Sequence, residues 1–449
     1  MTRLAGLAAV LAALTLAALG LGVSIARAMG DPFASWWFRG AIAASVPVYF
    51  LACRTVLRKD TKPALWLVLG VAIGLRAVLL LGPPLLSSDV YRYVWDGRVG
   101  TAGINPYLYL PVDPALAGLR DTAIYPHINR ADYAPTIYPP VAQVIFAAVS
   151  SVSDSVIAMK AAMVAFEALA MFCLARILTK LGRPAAQILI YAWNPVALWE
   201  FAGNGHVDAA AIGLMALALL WRSSGARMGL AGLALGAATL VKFLPAMLAA
   251  ALWRNGRPGL RLALGCLAVV VGLYGVYALW GGAGAHVLGF LGSYGDEEGL
   301  ASGSGIWVLS GLGLLAELPG WASRAYLGAL AVGLVLLGSW IAFRPRPQPG
   351  SPADITRFCS DAALLGVVVM TGLSPHYAWY FAWLAVPATI APSRSAIWMS
   401  AAAMILYYSP LPDRFLWPSI LYLPAVVLMW IDARSARNAA LVPALQGSF

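Results

Sequence analysis

Charged residues are scarce in this sequence. Only 11% of its 449 residues are Asp, Glu, Lys or Arg, against roughly 25% in soluble domains, while 61% are hydrophobic. An ordinary soluble enzyme is excluded. Cysteine is nearly absent too: Cys53, Cys173, Cys266 and Cys359 each lie in or beside an apolar run, without CxxC or metal-like spacing. That excludes a disulfide frame and a zinc site, and leaves four small core residues. No convincing internal repeat is visible. The formal charge of +11 belongs, in so apolar a chain, to membrane topology and not to nucleic-acid binding.

What the chain has in abundance is long apolar runs, at about 5–25, 40–53, 64–82, 158–175, 185–201, 208–221, 259–281, 323–343, 358–373, 377–391, 396–409 and 417–431. At roughly 20 residues per crossing, they predict an all-α polytopic membrane protein of about 12 transmembrane helices, residues 1–449 forming a single integral membrane domain. The run after Arg3 extends to Ala26. It is too long for a signal-peptide core of about 7–15 residues and reads as an uncleaved first helix.

Basic residues set the orientation. With both termini cytoplasmic, alternation places Arg54, Arg58, Lys59, Lys62, Arg176, Lys180, Arg183, Arg222, Arg227, Arg254, Arg344, Arg346, Arg394 and Arg437 on the inner face, as the positive-inside rule requires. The loops 83–157 and 282–322 then face outward from the plasma membrane. Between Arg227 and Arg254 an apolar stretch begins and ends on the inner side, with Lys242-Phe243-Leu244-Pro245 near its middle. A lysine and a proline there predict a hairpin of two short helices over 228–253, its tip buried in protein. Tyr138-Pro139-Pro140 opens a half-length apolar segment suited to an interfacial helix.

Three polar constellations fall on the outer side. The first runs Ser87-Ser88-Asp89-Val90-Tyr91-Arg92-Tyr93-Val94-Trp95-Asp96-Gly97-Arg98. Serine before a helix-compatible stretch is an N-cap signal. Asp89 and Asp96, two helical turns apart, then share a face. Asp96 with Arg92 is also an ordinary i, i−4 surface pair; Asp89, ringed by aromatics where a span meets the loop, is a candidate base. The second is Gly203-Asn204-Gly205-His206-Val207-Asp208, in which Asn204 is suited to cap the next helix and Asp208 to sit at its positive end. His206 and Asp208 at i, i+2 diverge and make no metal site. The third is Ser374-Pro375-His376-Tyr377, where Ser374 and Pro375 would start a helix whose free N–H groups attract an anion, with His376 beside it. Lys242, near the membrane interior, needs a partner or a watery cavity, or else snorkels.

An enzyme on this face has no ready supply of cytosolic nucleotide-activated donors. A lipid-linked donor fits better. At these residues the sequence resembles the membrane-embedded glycosyltransferases of the GT-C fold, particularly polyprenyl-phosphomannose-dependent mannosyltransferases. The resemblance lies in Asp89 to Arg98, Gly103-Ile104-Asn105-Pro106-Tyr107, Tyr138-Pro139-Pro140, Trp193-Asn194-Pro195, Gly203 to His206, Lys242 to Pro245 and Ser374-Pro375-His376, covering about 64–391. It implies a large first outer loop carrying the catalytic carboxylate, Asp89, and a lipid-linked sugar donor with mannose as the sugar. The family pattern often sets a second acid or a histidine beside that carboxylate; here Val90 follows Asp89 and the second acid comes at Asp96. Metal-independent catalysis without a cofactor is therefore expected.

The mechanism implied is direct displacement with inversion. Asp89 takes a proton from an acceptor hydroxyl, and Arg92, Lys242 and His376 stabilise the leaving phosphate. Tyr91, Asp96, Tyr138, Asn204, His206, Asp208 and Tyr377 are candidate substrate contacts. The acceptor is a glycolipid or an envelope glycan, its choice shaped by the loop from Val112 to Ala134. Three other readings remain: a transporter or flippase whose path is lined by Lys242, Glu167 and Asp361, a polymerase or ligase of lipid-linked glycans, and a membrane scaffold.

Overall fold

The computed structural model describes residues 2–58, 64–408 and 414–446, with side chains up to Ser435. Lys59, Lys62 and the side chain of Arg437, which the charge pattern assigns to the inner face, lie outside the described residues. Among the described residues every regular element is helical. Serine caps open several of them: Ser35 accepts from Trp37 N at the start of α2 (Trp36–Val56), which follows α1 (Thr2–Met29), whereas Ser88, expected to cap the helix that begins at Asp89, makes no side-chain cap bond. Ser155 accepts from Ala158 N at the head of the helix Val156–Lys180.

Two helices follow α2: α3 (Leu65–Leu81) and, within the long segment 83–157, α4 (Asp89–Thr101). α4 lies against α5 (Pro140–Ser150). Their approach depends on Gly97, where an added Cβ would fall 2.4 Å from Phe146 O. Next comes α6 (Val156–Lys180), whose 25 residues span about 37 Å. Near its start Lys160 Nζ donates to Leu79 O at 2.9 Å and Gly82 O at 2.5 Å, closing the carbonyl end of α3. Near its middle Glu167 accepts from Arg76 of α3 at 2.6 Å, both side chains buried. At its end Lys180 donates to Ser223 O.

The run 185–201 is not one span. Asn194 caps a new turn at Pro195, its Oδ1 accepting from Val196 N and Ala197 N at 3.0 and 3.2 Å, and Leu198–Gly203 winds as a wide π-type turn. This broken backbone is buried within the protein, with Trp193 Nε1 donating to Val68 O. Irregular backbone is tolerated at membrane depth only when enclosed in that way. The run 377–391 is likewise a 3-10 turn, Ala378–Leu384, followed by Ala385–Ile390.

The longer helices that remain are α7 (Asp208–Ser223), α8 (Met228–Thr239), α9 (Arg257–Leu279), α10 (Ala322–Phe343), α11 (Pro352–Leu373), α12 (Arg394–Ala402) and α13 (Leu416–Gln446), with the short helices Leu291–Glu297 and Trp307–Gly313 between α9 and α10. Lys242 stands between α8 and the short turns Leu244–Met247 and Leu248–Leu252. Seven helices among the described residues are long and apolar enough to cross a membrane, with shorter apolar helices between them. The chain is a polytopic membrane protein. It reaches that architecture with fewer continuous spans than the twelve runs suggest, because Pro and Asn interrupt several runs and partner helices enclose the breaks. Leu264, Val271, Val335 and Leu336 on α9 and α10 are exposed, as lipid-facing positions should be.

Charge gathers at two ends of the bundle. At the end holding Lys180, Arg222 grips Asp354 through two bonds of 2.9 and 3.1 Å and Arg254 adds a third at 2.9 Å. Arg344, Arg346 and Arg357 surround Asp361. The other end, where α4 begins, is hollow.

Candidate active site

A cavity of about 630 Å³ opens there between the head of α4, residues 129–139, Lys242, Tyr294, residues 377–380 and Tyr407. Asp89 is the carboxylate on its wall. It is the first residue of α4, where the helix dipole favours negative charge. Its N–H donates to Ser87 Oγ at 3.2 Å. Its Oδ1 accepts from Asn129 Nδ2 at 2.6 Å, and Tyr138 OH stands 3.5 Å from Oδ2. The side chain stays 19% exposed, so one face of the carboxylate remains open to a proton donor.

Cations face the same space. Lys242 Nζ lies 3.3 Å from Asp208 Oδ2 and 4.5 Å above the Tyr380 ring. Arg130 projects from a backbone with φ +54 and donates to Glu297 at 2.8 Å. Arg92 also borders the cavity, though its guanidinium is engaged by Asp96 at 2.8 Å and Ala134 O at 3.1 Å. Aromatic and aliphatic groups, among them Phe243, Met247, Phe290 and Leu373, form the rest of the wall. A carboxylate able to take a proton, cations able to hold an anionic leaving group and an apolar flank thus share one compartment.

Residues 3–254 match the family profile described as "Alpha-(1->6)-mannopyranosyltransferase, N-terminal domain", and residues 136–375 match that of "Glycosyltransferase family 87". The chain belongs to these glycosyltransferase families. Over 140 residues it is 29% identical to alpha-(1->6)-mannopyranosyltransferase A of Mycobacterium tuberculosis (strain ATCC 25618 / H37Rv). The aligned stretch covers 31% of this chain and 27% of that relative's length. No solved structure matches the chain.

In this family 87 member the residues singled out in the sequence fall into three groups. Asp89, Arg92, Tyr138, Lys242 and Tyr377 line the cavity together. Asp96, Asn204, His206 and Asp208 lie behind its wall. Asp96 is buried and held by Arg92, Thr136 Oγ1 at 2.5 Å and Gln143 Nε2 at 3.1 Å, which realises the i, i−4 pair. Asn204 does not cap the helix after it: its Oδ1 accepts from Leu86 N at 2.9 Å, tying the lead-in of α4 to the 203–206 turn. Asp208 does occupy the first turn of α7, where it holds Lys242.

Tyr91 and His376 form the third group and face elsewhere. Tyr91 packs at a tilt against His127, ring centroids 4.7 Å apart, and borders a separate groove. Ser374 starts no helix. It ends α11 with φ +43 and accepts from Trp307 N at 2.8 Å, so no ring of free N–H groups forms beside His376. His376 instead lies 3.4 Å from Glu298 O, in a neighbouring space of about 180 Å³. Burial, with Arg414 adding to it, pushes its imidazole down to about 4. The ring is therefore neutral at pH 7.

Sequence reasoning missed Asn129, Arg130, Trp379, Tyr407 and Glu200. Trp379 is sandwiched between Tyr377 at 4.4 Å and His206 at 4.1 Å, and Tyr407 donates to Glu200. Among the described residues no three His, Cys, Asp or Glu side chains converge as a metal site.

Proposed function

We propose that this protein transfers mannose from a polyprenyl-phosphate donor to a glycan or glycolipid acceptor, forming an α(1→6) linkage as the name of its mycobacterial relative describes. The observation that carries the reading is the meeting of Asp89 with Lys242 and Arg130 in one cavity, in a chain whose family is that of glycosyltransferases. A hydroxyl is a weak nucleophile. Asp89 takes its proton as the oxygen attacks the anomeric carbon from the face opposite the phosphate, so the configuration inverts. A positioned base contributes about 10²–10⁴-fold to such a step. The departing lipid phosphate needs no proton; it needs cations. Lys242 and Arg130 face it, Arg92 is half committed to Asp96, and His376 is turned aside.

The architecture is read as a GT-C fold with the cavity on the extracytoplasmic side of the plasma membrane. Seven long helices and the shorter, broken ones between them together make about 12 passages, and the segment 83–157 is the first catalytic outer loop. The segments 228–253 and 282–322 supply Lys242 and Tyr294 to the cavity. The positive charge at the Arg222–Asp354 end supports this orientation. A transport path is a weaker reading, because Glu167 is neutralised by Arg76 and Asp361 by arginines at the far end, and neither joins Lys242 in one channel.

The test is Asp89→Asn, purified and folded, assayed with polyprenyl-phosphate mannose and a mannan oligosaccharide. Transfer falls at least about 10²-fold. Unchanged turnover removes Asp89 from the mechanism, and transfer from another member of a donor panel replaces mannose.

A further inference from the structure

The groove that Tyr91 borders, about 700 Å³ in volume, shares no lining residue with the catalytic cavity. It is bounded by the last turn of α1, the end of α3 with the 82–85 stretch that follows, Tyr91 of α4 and the first turns of α6. α1 and α6 are each long and apolar enough to cross a membrane, so a groove at their ends falls at the level of lipid headgroups. Trp36 and Trp37, which open α2 just after the end of α1, are 65% and 80% exposed, as an interfacial aromatic pair should be. Leu81 and Ile157, which line the groove, are exposed apolar side chains.

The groove is lined by cations and by no acid. Arg27, in the last turn of α1, is exposed and makes no hydrogen bond or ion pair among the described residues. Asp31, close by in the chain, accepts from Phe33 N at 2.8 Å instead. Lys160 is buried, 1% exposed. Buried charges persist when they are paired, and Arg76, Arg92 and Arg222, also buried, hold Glu167, Asp96 and Asp354 respectively. Lys160 has no carboxylate within ion-pair distance among the described residues. It donates to Leu79 O and Gly82 O at the end of α3, and a helix end offers only about half a negative charge. Two of its three N–H donors are thereby spent and one is not. Tyr91, half-buried in the same groove, carries a hydroxyl with no hydrogen-bond partner among the described residues.

We propose that this groove binds the phosphate of an anionic diacyl phospholipid, at a site separate from that of the sugar donor. Arg27 supplies a guanidinium suited to a paired hold on two phosphate oxygens, Lys160 its uncommitted N–H and Tyr91 its hydroxyl, while the acyl chains run past Leu81 and Ile157 into the bilayer. The occupant is a lipid because the groove lies at headgroup level and its exposed flank is apolar. It is anionic because a zwitterionic headgroup would bring a quaternary ammonium into a groove that has only cations. It is not the donor, because Asp89 lines the other cavity and Tyr91 this one, which sets α4 between the groove and the base. The site bears on that base through the backbone it touches. Lys160 Nζ holds Gly82 O, and its Cγ is so close to the 203–206 turn that a Cβ on Gly205 would lie 2.9 Å from it. Leu86 N donates to Asn204 Oδ1, and a Cβ on Gly22 of α1 would meet Leu85 at 2.7 Å. The lead-in to Asp89 is thus clamped between α1, Lys160 and the 203–206 turn, and a phosphate that ties Arg27 to Lys160 draws the same elements together.

The test is native mass spectrometry of the full-length protein in detergent micelles, titrated with phosphatidylglycerol and, separately, with phosphatidylcholine. Phosphatidylglycerol binds at least about 10-fold more tightly, since each cation at a lipid headgroup adds roughly a fivefold factor. Arg27→Gln cuts that preference about fivefold, and Arg27→Lys keeps most of it. Arg39→Gln, which removes a cation standing over Trp36 outside the groove, leaves the preference unchanged. Lys160→Gln lowers it too; if that variant fails to fold because the end of α3 is uncapped, Arg27→Gln decides, its side chain being exposed. Equal binding of the two lipids overturns the proposal. So does a loss in Arg39→Gln that matches the loss in Arg27→Gln, which reduces the effect to diffuse surface charge. Displacement of phosphatidylglycerol by inorganic phosphate gives the site to a free anion, and displacement by polyprenyl-phosphate mannose gives it to the donor; either result removes the phospholipid from the groove.

Discussion

Lys242 shows how a single side chain divides its charge. It touches Asp208 and the Tyr380 ring on one side and opens to the cavity on the other. A charge-assisted hydrogen bond of about 1.5–3 kcal/mol to a donor phosphate corresponds to roughly 10- to 100-fold in kcat/KM. Lys242→Gln therefore loses about that much in steady-state assays with the lipid-linked donor, while Lys242→Arg recovers part of it. A Lys242→Gln protein with unaltered kcat/KM places the phosphate elsewhere. Lys242 and Asp89 were legible in the sequence because a charge inside, or at the edge of, an apolar run is conspicuous. Arg130 and Asn129 were not, since they stand in an aperiodic loop and become cavity groups only when that loop folds back over Asp89. Glu200 was hidden for the opposite reason: in an apolar run, with partners at Tyr407 and Asn204, it reads as the end of a span.

At the scale of elements, apolar periodicity located every long helix and misjudged the broken ones. Asn194-Pro195 lies inside a run that hydropathy alone continues, and Ser374 was given to the helix after it when its φ and its bond to Trp307 N assign it to the one before. The first is a local cap that hydropathy does not register, Asn194 Oδ1 accepting from Val196 N and Ala197 N; the second comes from a distant partner that no local window contains. The contact between α4 and α5 makes a sharper demand. Gly97→Ala forces a methyl against the Phe146 carbonyl and costs about 1–3 kcal/mol, which a thermal unfolding measurement in detergent would register as a lower midpoint; an unchanged midpoint means α5 shifts freely. The loop after α4 has its own clasp, Arg98 joined to Asp121 and Asp154 at 2.7 Å each. Burial alone would raise the Asp121 carboxyl, but the bonds from Arg98, Ile124 N and Tyr125 N overcome it and hold the group at about 2. This folded value lies below the unfolded one. The clasp's contribution is thus complete above about pH 4 and disappears as pH falls toward 2. Limited proteolysis of the 113–127 segment should accelerate across that window and in Asp121→Asn at neutral pH.

For the whole molecule, the lasting feature is the Arg76–Glu167 pair between α3 and α6. Each partner sits in a helix that must enter the bilayer, and a lone charge at the centre of a helix costs about 2.5–3.5 kcal/mol to insert. Removing one partner from the finished bundle leaves the other buried without compensation, at about 3–5 kcal/mol. Arg76→Met or Glu167→Met alone should lower membrane yield, and the double Met variant should restore it; equal yields for all four proteins refute the coupling. The pair also imposes an order on biogenesis. Arg76 precedes Glu167 by 91 residues, so α3 is synthesised with an unmatched charge and stays so until the segment leading to α6 has been made. Only when α6 has been made can the two charges meet, so a chain cut short before Glu167 carries Arg76 without its partner.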